Sequence, residues 1–158
     1  MSPPESLDPQ SAVSVLKENI NDAGALGTDP LYGAGIVDWN RIGERDTDDI
    51  VDLAIAGFFW DPDASPGTTI PVEIIVQNRG TTWIQASNLE SRVGDMDSIV
   101  HTLEGLGPGE ATSRRIFIEI PSKYSGKGIR LAAKVLSKES AKDVRLENNF
   151  RVVQFRSR

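Results

Sequence analysis

After Asp49 the apolar residues fall on every second position, and that period limits what the chain can fold into. Val51, Leu53, Ile55 and Phe59 alternate with Asp52, Ala54 and Ala56. Ile70, Val72, Ile74 and Val76 alternate with Pro71, Glu73, Ile75 and Gln77. Ile116, Ile118 and Ile120 form a third such run, and Ile129, Leu131, Ala133 and Val135 a fourth. Side chains of an extended chain point to opposite faces in turn, so these runs predict strands with one buried face. Turn residues bound them: Asp61-Pro62-Asp63, Ser65-Pro66-Gly67, Asn78-Arg79-Gly80, Gly94-Asp95, Gly107-Pro108-Gly109, Ser125-Gly126 and Asn148-Asn149. The spacing predicts seven strands, near 50–59, 69–78, 82–92, 97–103, 112–120, 128–136 and 149–156, and so a mainly β, antiparallel sandwich. Pro71 cannot donate to a ladder, which makes its strand an edge at that point or starts the strand there.

The first 49 residues follow other rules. Asp8 is a good N-cap, Pro9 suits the first helical position, and Val13, Leu16 and Ile20 form a one-sided stripe, predicting a helix over 8–21 that Gly24 helps to end. A helix this short is marginal alone in water, so its stripe must be buried against something. Gly24–Gly35 reads as loop or short strand. Asp38 can cap a second helical turn over Trp39–Ile42, and a polar linker runs from Gly43 to Asp49. Residues 1–49 hold three Lys/Arg against ten Asp/Glu, whereas 50–158 hold fourteen against thirteen. The acidity lies in the first third, which argues for two regions of different origin and against nucleic-acid binding.

The 158 residues suffice for one core plus an appendage. With no cysteine there is no disulfide, thiolate metal site or cysteine nucleophile. No apolar run approaches the roughly 20 residues of a membrane span. The start, Met1-Ser2-Pro3-Pro4, lacks the basic and apolar regions of a secretory signal, so secretion would depend on a signal outside this chain.

Each candidate for chemistry has a plainer reading that outweighs it. Gly33-Ala34-Gly35 lacks the third glycine and the flanking elements of a dinucleotide loop and reads as a turn. Ser14 and Lys17 have an acyl-transfer spacing without the partner motifs. His101, the single histidine, could join Asp95 or Asp97 in a triad, but its place in a strand predicts an exposed side chain. Asp46, Asp48, Asp49 and Asp52 are the metal candidates, for calcium, with Asp61 and Asp63 close in sequence. They lack the EF-hand pattern and read as a solvated linker. Phe58, Phe59, Trp60 and Trp83 could line a ligand patch; the reading preferred is a seal at the junction, near Trp39.

Two resemblances follow from ordered motifs. Val51-Asp52-Leu53, Gly67, Asn78-Arg79-Gly80, Leu106-Gly107-Pro108-Gly109-Glu110 and Leu146-Glu147-Asn148-Asn149 make residues 50–156 similar to the CARDB family, Ig-like sandwiches that serve as accessory modules in large surface or secreted proteins. Gly24–Asp38, with Asp29-Pro30-Leu31-Tyr32-Gly33-Ala34-Gly35-Ile36-Val37-Asp38 at its centre, and the helices around it make residues 6–45 resemble the C-terminal end of the catalytic domain of subtilisin-like serine proteases. In that family the stretches with the catalytic Asp, His and Ser precede this region. None occurs here, so no residue of this chain inherits a catalytic role. That family commonly binds calcium elsewhere in the domain, which keeps a weak interdomain calcium site open.

The resulting expectation has three parts: a protease-domain remnant over 1–45, an acidic linker over 46–49 and a CARDB-like sandwich over 50–158. The chain would be a non-catalytic portion of an extracellular or surface endopeptidase, where the sandwich stabilises, spaces, or binds substrate or partner. The partner would be the subtilase catalytic domain or another protein surface. The alternative is a standalone adhesion or assembly module that self-associates through Val13, Leu16 and Ile20. A third reading, a hydrolase using His101, predicts turnover by the purified chain that His101→Ala abolishes; none is expected. Without a catalytic domain, residues 1–45 are open to disorder.

Overall fold

The computed structural model describes residues 8–60, 69–119, 128–138 and 142–156, with side chains to Gln154. The turns expected at Asp61–Asp63, Ser65–Gly67 and Ser125–Gly126, and Ile120, lie outside the described residues.

Helix α1 (Pro9–Glu18) is capped by Asp8, whose Oδ1 accepts from the Gln10 and Ser11 N–H groups at 2.9 and 3.0 Å. It ends before Gly24, because Asn19 turns its amide onto the Val15 carbonyl (2.8 Å) and leaves helical geometry. A two-stranded ribbon follows, β1 (Ile20–Asn21) with β2 (Ile36–Val37). Between them the Asp29 Oδ1 accepts from the Leu31 and Tyr32 N–H groups and fixes a turn. Gly35 is required beyond that turn: its φ is +121°, and a Cβ there would lie 2.3 Å from the Asn21 carbonyl oxygen. Helix α2 (Trp39–Glu44), capped by Asp38, runs two residues further than expected.

The seven expected sandwich strands form, in two antiparallel sheets. One has the order β3 (Leu53–Trp60), β4 (Thr69–Asn78), β7 (Ala111–Glu119). The other has β6 (Ile99–Leu103), β5 (Ser87–Val93), β8 (Gly128–Ser137), β9 (Phe150–Arg156). With the ribbon this makes nine strands among the described residues rather than seven. Leu53, Ile74, Leu89, Ile118, Leu131 and Val135 meet between the sheets, all nearly or fully buried. Burying each such side chain contributes about 1.5–3 kcal/mol of transfer free energy.

Two departures from simple alternation matter for function. A bulge falls between Ile55 and Gly57. It shifts the alternation, so Phe58 and Trp60 pack on the core while Phe59, expected inside, is exposed. Burial in β4 alternates at first and then becomes continuous from Ile74 to Asn78. The N-terminal segment covers the outer face there: Gly24 lies over Gly57, and Gln77 bonds to Ile20 and Asp22. Pro71 pairs with Phe117 of β7, and the last described β3 partner on the other side is Trp60, opposite Val72.

Candidate functional site

The loops quoted above as motifs gather where the N-terminal segment meets the sandwich. Asn78, fully buried, donates to the Thr82 and Leu106 carbonyls at 2.8 and 2.9 Å and accepts from the Gly80 N–H. Gly80 is needed because a Cβ would sit 2.2 Å from the Ile50 carbonyl oxygen. Glu110 accepts from the Gly107 N–H (2.7 Å) and shapes the Pro-Gly turn. Asn149 donates to the Val135 carbonyl and to Asp143, which in turn accepts from the Leu53 N–H (2.8 Å).

Onto this frame the segment is fastened by polar groups. Arg145 extends one fork to Asp52 (2.7 Å) and the other to Glu44 at the end of α2. Asp52 is 1% exposed, and its second oxygen accepts from Asn148 (2.8 Å), so its charge is fully satisfied. Its donation to Glu44, opposed by desolvation and reinforced by Asp52, raises the Arg145 pKa above its ordinary value. Gln77 accepts from the Asp22 N–H (3.0 Å) and donates to the Ile20 carbonyl (2.9 Å). Arg41, 6% exposed, donates to the Ile20 and Glu18 carbonyls (2.6 and 3.0 Å). Burial lowers its pKa, and Arg79 adds to that. Burial pushes Asp38 up, but bonds from Asn21 and from the Asn40 and Arg41 N–H groups outweigh it, so the net shift is down.

The four calcium candidates do not share one site. Asp52 belongs to the Arg145 network and is not part of a solvated linker. Asp46 faces Arg45 at 3.3 Å in solvent, and Asp48 and Asp49 are exposed. Among the described residues no group of three or more His, Asp or Glu converges to hold an ion. His101 is half-buried on the sandwich-facing side of β6 rather than exposed. Burial and then Arg114 lower its pKa, and its Nε2 has no partner among the described residues. No described hydrogen bond joins it to Asp95 or Asp97. Ser14 and Lys17 are both exposed on α1.

The aromatic seal forms only in part. Phe58, Phe59 and Trp60 line a groove of about 690 Å³ with Tyr32 and Leu31 of the N-terminal loop. Trp39 is 74% exposed, and Trp83 lies over Gly105 and Gly107 instead. Arg41, Arg145, Gln77 and Asp22 were not singled out from sequence. The usable signal was the run Ile74-Ile75-Val76, which has no polar alternate and so implies cover on both faces.

No protein-family model matches the sequence, and no curated protein sequence does. The fold is an antiparallel, Ig-like sandwich, and its solved likenesses include CARDB domains. The chain is similar to the CARDB domain of the PF1109 protein from Pyrococcus furiosus, solved in complex with di-metal ions (TM-score 0.59, 14% identity, 70% of this chain and 90% of that one). A solution structure of the PF1109 CARDB domain gives a TM-score of 0.53 at 15% identity, over 69% of this chain and 96% of that one. A domain, residues 272–376, of a Methanosarcina acetivorans protein assigned to the cell surface gives 0.52 at 15%, over 69% and 93%. At such identities the likeness is one of fold. Among the described residues no helix is long and apolar enough to cross a membrane.

Proposed function

We propose that this chain is the non-catalytic accessory portion of a larger, extracellular subtilisin-like serine endopeptidase. Residues 8–45 complete the trailing edge of its catalytic domain, and the sandwich braces and spaces that domain. One observation carries the reading: the N-terminal segment is inside out. The residues that segment 8–45 buries on the sandwich are Asn19, Asp22 and Arg41, all polar. Val15, Ile20, Val37 and Ile42 are half-buried, and other apolar side chains face away: Val13 is 48% exposed, Leu31 84% and Ile36 59%. A segment fastened on one side and apolar on the other is half of an interface. The experiment is to read the natural frame upstream of the Met1 codon. A continuous frame encoding Asp, His and Ser stretches is expected; an in-frame stop with ribosome initiation at Met1 would overturn the reading.

The exposed Val13 and Leu16 also suit a second copy, in a standalone adhesion or assembly module. That reading predicts a concentration-dependent dimer in sedimentation equilibrium that Leu16→Asp abolishes. A monomer unchanged by Leu16→Asp argues against it.

A further inference from the structure

We propose that the groove between the Gly24–Ile36 loop and β3 binds the C-terminal carboxylate of an extended peptide with an apolar last residue. Three observations at the groove converge on that ligand. First, it holds two guanidinium groups, Arg79 and Arg151, and neither makes an ion pair among the described residues. Among the described residues the Arg79 side chain bonds through its Nε alone, toward Gln77 Oε1 at 3.3 Å, and Arg151 through Nη1, toward the Ala56 carbonyl at 2.6 Å. A guanidinium carries five N–H donors, and a carboxylate matches its fork in two parallel bonds. Desolvation lowers the Arg79 pKa, with the Asp52, Asp38 and Asp22 carboxylates offsetting part of that and Arg151 adding to it. Second, the wall beside these groups is β3 from Ala56 to Trp60. Among the described residues β3 pairs with β4 alone; on its other side Leu53 and Ile55 already donate to Asp143 and the Asn148 carbonyl, so it is the stretch beyond Ala56 that can receive a backbone in β-pairing. The bulge carbonyl of Ala56 places Arg151 beside that edge. Third, Tyr32 and Phe59, each about half exposed, and the more exposed Leu31 offer an apolar wall for the last side chain. Asp22, which also lines the groove, works against an anion: one of its oxygens accepts from the Gly27 N–H (2.9 Å) and the other is buried without a partner among the described residues, so the two guanidinium groups must outweigh it. The proposal does not rest on the protease reading and competes with it for one wall, since Tyr32 and Leu31 belong to the face which that reading covers; the peptide is bound by the chain with that face open.

The test is calorimetric titration of this chain with acetyl-Ala-Ala-Phe, its C-terminal amide, and sodium acetate. The free acid is expected to bind saturably, with the amide and acetate at least about tenfold weaker. Arg151→Gln, an exposed change, should weaken the free acid by about tenfold at an unchanged melting temperature. Arg79→Lys, which keeps charge and loses the fork, should also weaken it; if that variant does not fold, Arg151→Gln decides. Amide binding as tight as the acid would overturn the carboxylate, and acetate binding as tight as the peptide would overturn the peptide. No binding of the free acid, or Arg151→Gln binding like the wild type, would overturn the site.

Discussion

The fully buried side chains of the sandwich are Leu, Ile and Val almost throughout, whereas the buried side chains of residues 8–49 are Asn19, Asp22 and Arg41. The sandwich gains its stability by removing apolar surface from water, with no partner needed. The segment gains its place through directed bonds: Gln77 to Asp22 and Ile20, Arg145 to Glu44, Arg41 to two carbonyls. Such bonds contribute little net energy each, because they replace bonds to water, but losing one partner of a buried group is expensive. The segment is therefore positioned by polar bonds to the sandwich rather than by an apolar core of its own.

Four changes probe that contrast. Leu131→Ala, in the middle of the sandwich, should cost about 2–5 kcal/mol in urea unfolding and destabilise the whole chain. Equal loss confined to the segment would break the distinction. Arg145→Met leaves Asp52 buried with its charge unpaired and should cost about 2 kcal/mol or more. Its mark is regional: hydrogen exchange should quicken at the Asp22 and Asp38 amides far more than at Val135.

Acid should act on the segment first. The folded Asp38 pKa lies below its unfolded value, so its contribution is present above the ordinary carboxylate range and is lost as pH falls through the folded pKa. Exchange of the Asp38 amide, which bonds to the Asn19 carbonyl at 2.9 Å, should therefore rise at acid pH before that of the core strands, and Asp38→Asn should flatten the difference. Leu16→Asp should have the smallest effect, within about 0.5 kcal/mol, because Leu16 is 37% exposed and stands outside the buried core cluster. A loss like that of Leu131→Ala would mean the helix already packs on a partner.

The sandwich was readable because alternation is local: Ile129, Leu131, Ala133 and Val135 announce their face without reference to anything distant. The bulge at Ala56 was not, since nothing nearby distinguishes an inserted residue from an alternating one, and Phe59 was placed inside for that reason. The Arg145 bonds were unreadable on a different ground. Their partners lie 93 and 101 positions away, and an isolated Arg in a charged run looks like any solvated one. Asp52 looked like part of an acidic linker for the same reason. The order of the N-terminal segment was open in sequence, because what holds it is a set of long-range polar bonds rather than a pattern.

The central claim is that the outward face of residues 8–45 is covered in the natural protein. Hydroxyl-radical footprinting of Tyr32 and Trp39 tests it most directly, comparing this chain with the protein expressed from its complete natural reading frame. The account predicts heavy labelling of both in the isolated chain, where Tyr32 is 50% exposed and Trp39 74%, and strong protection in the natural protein. Equal labelling in the two would contradict it.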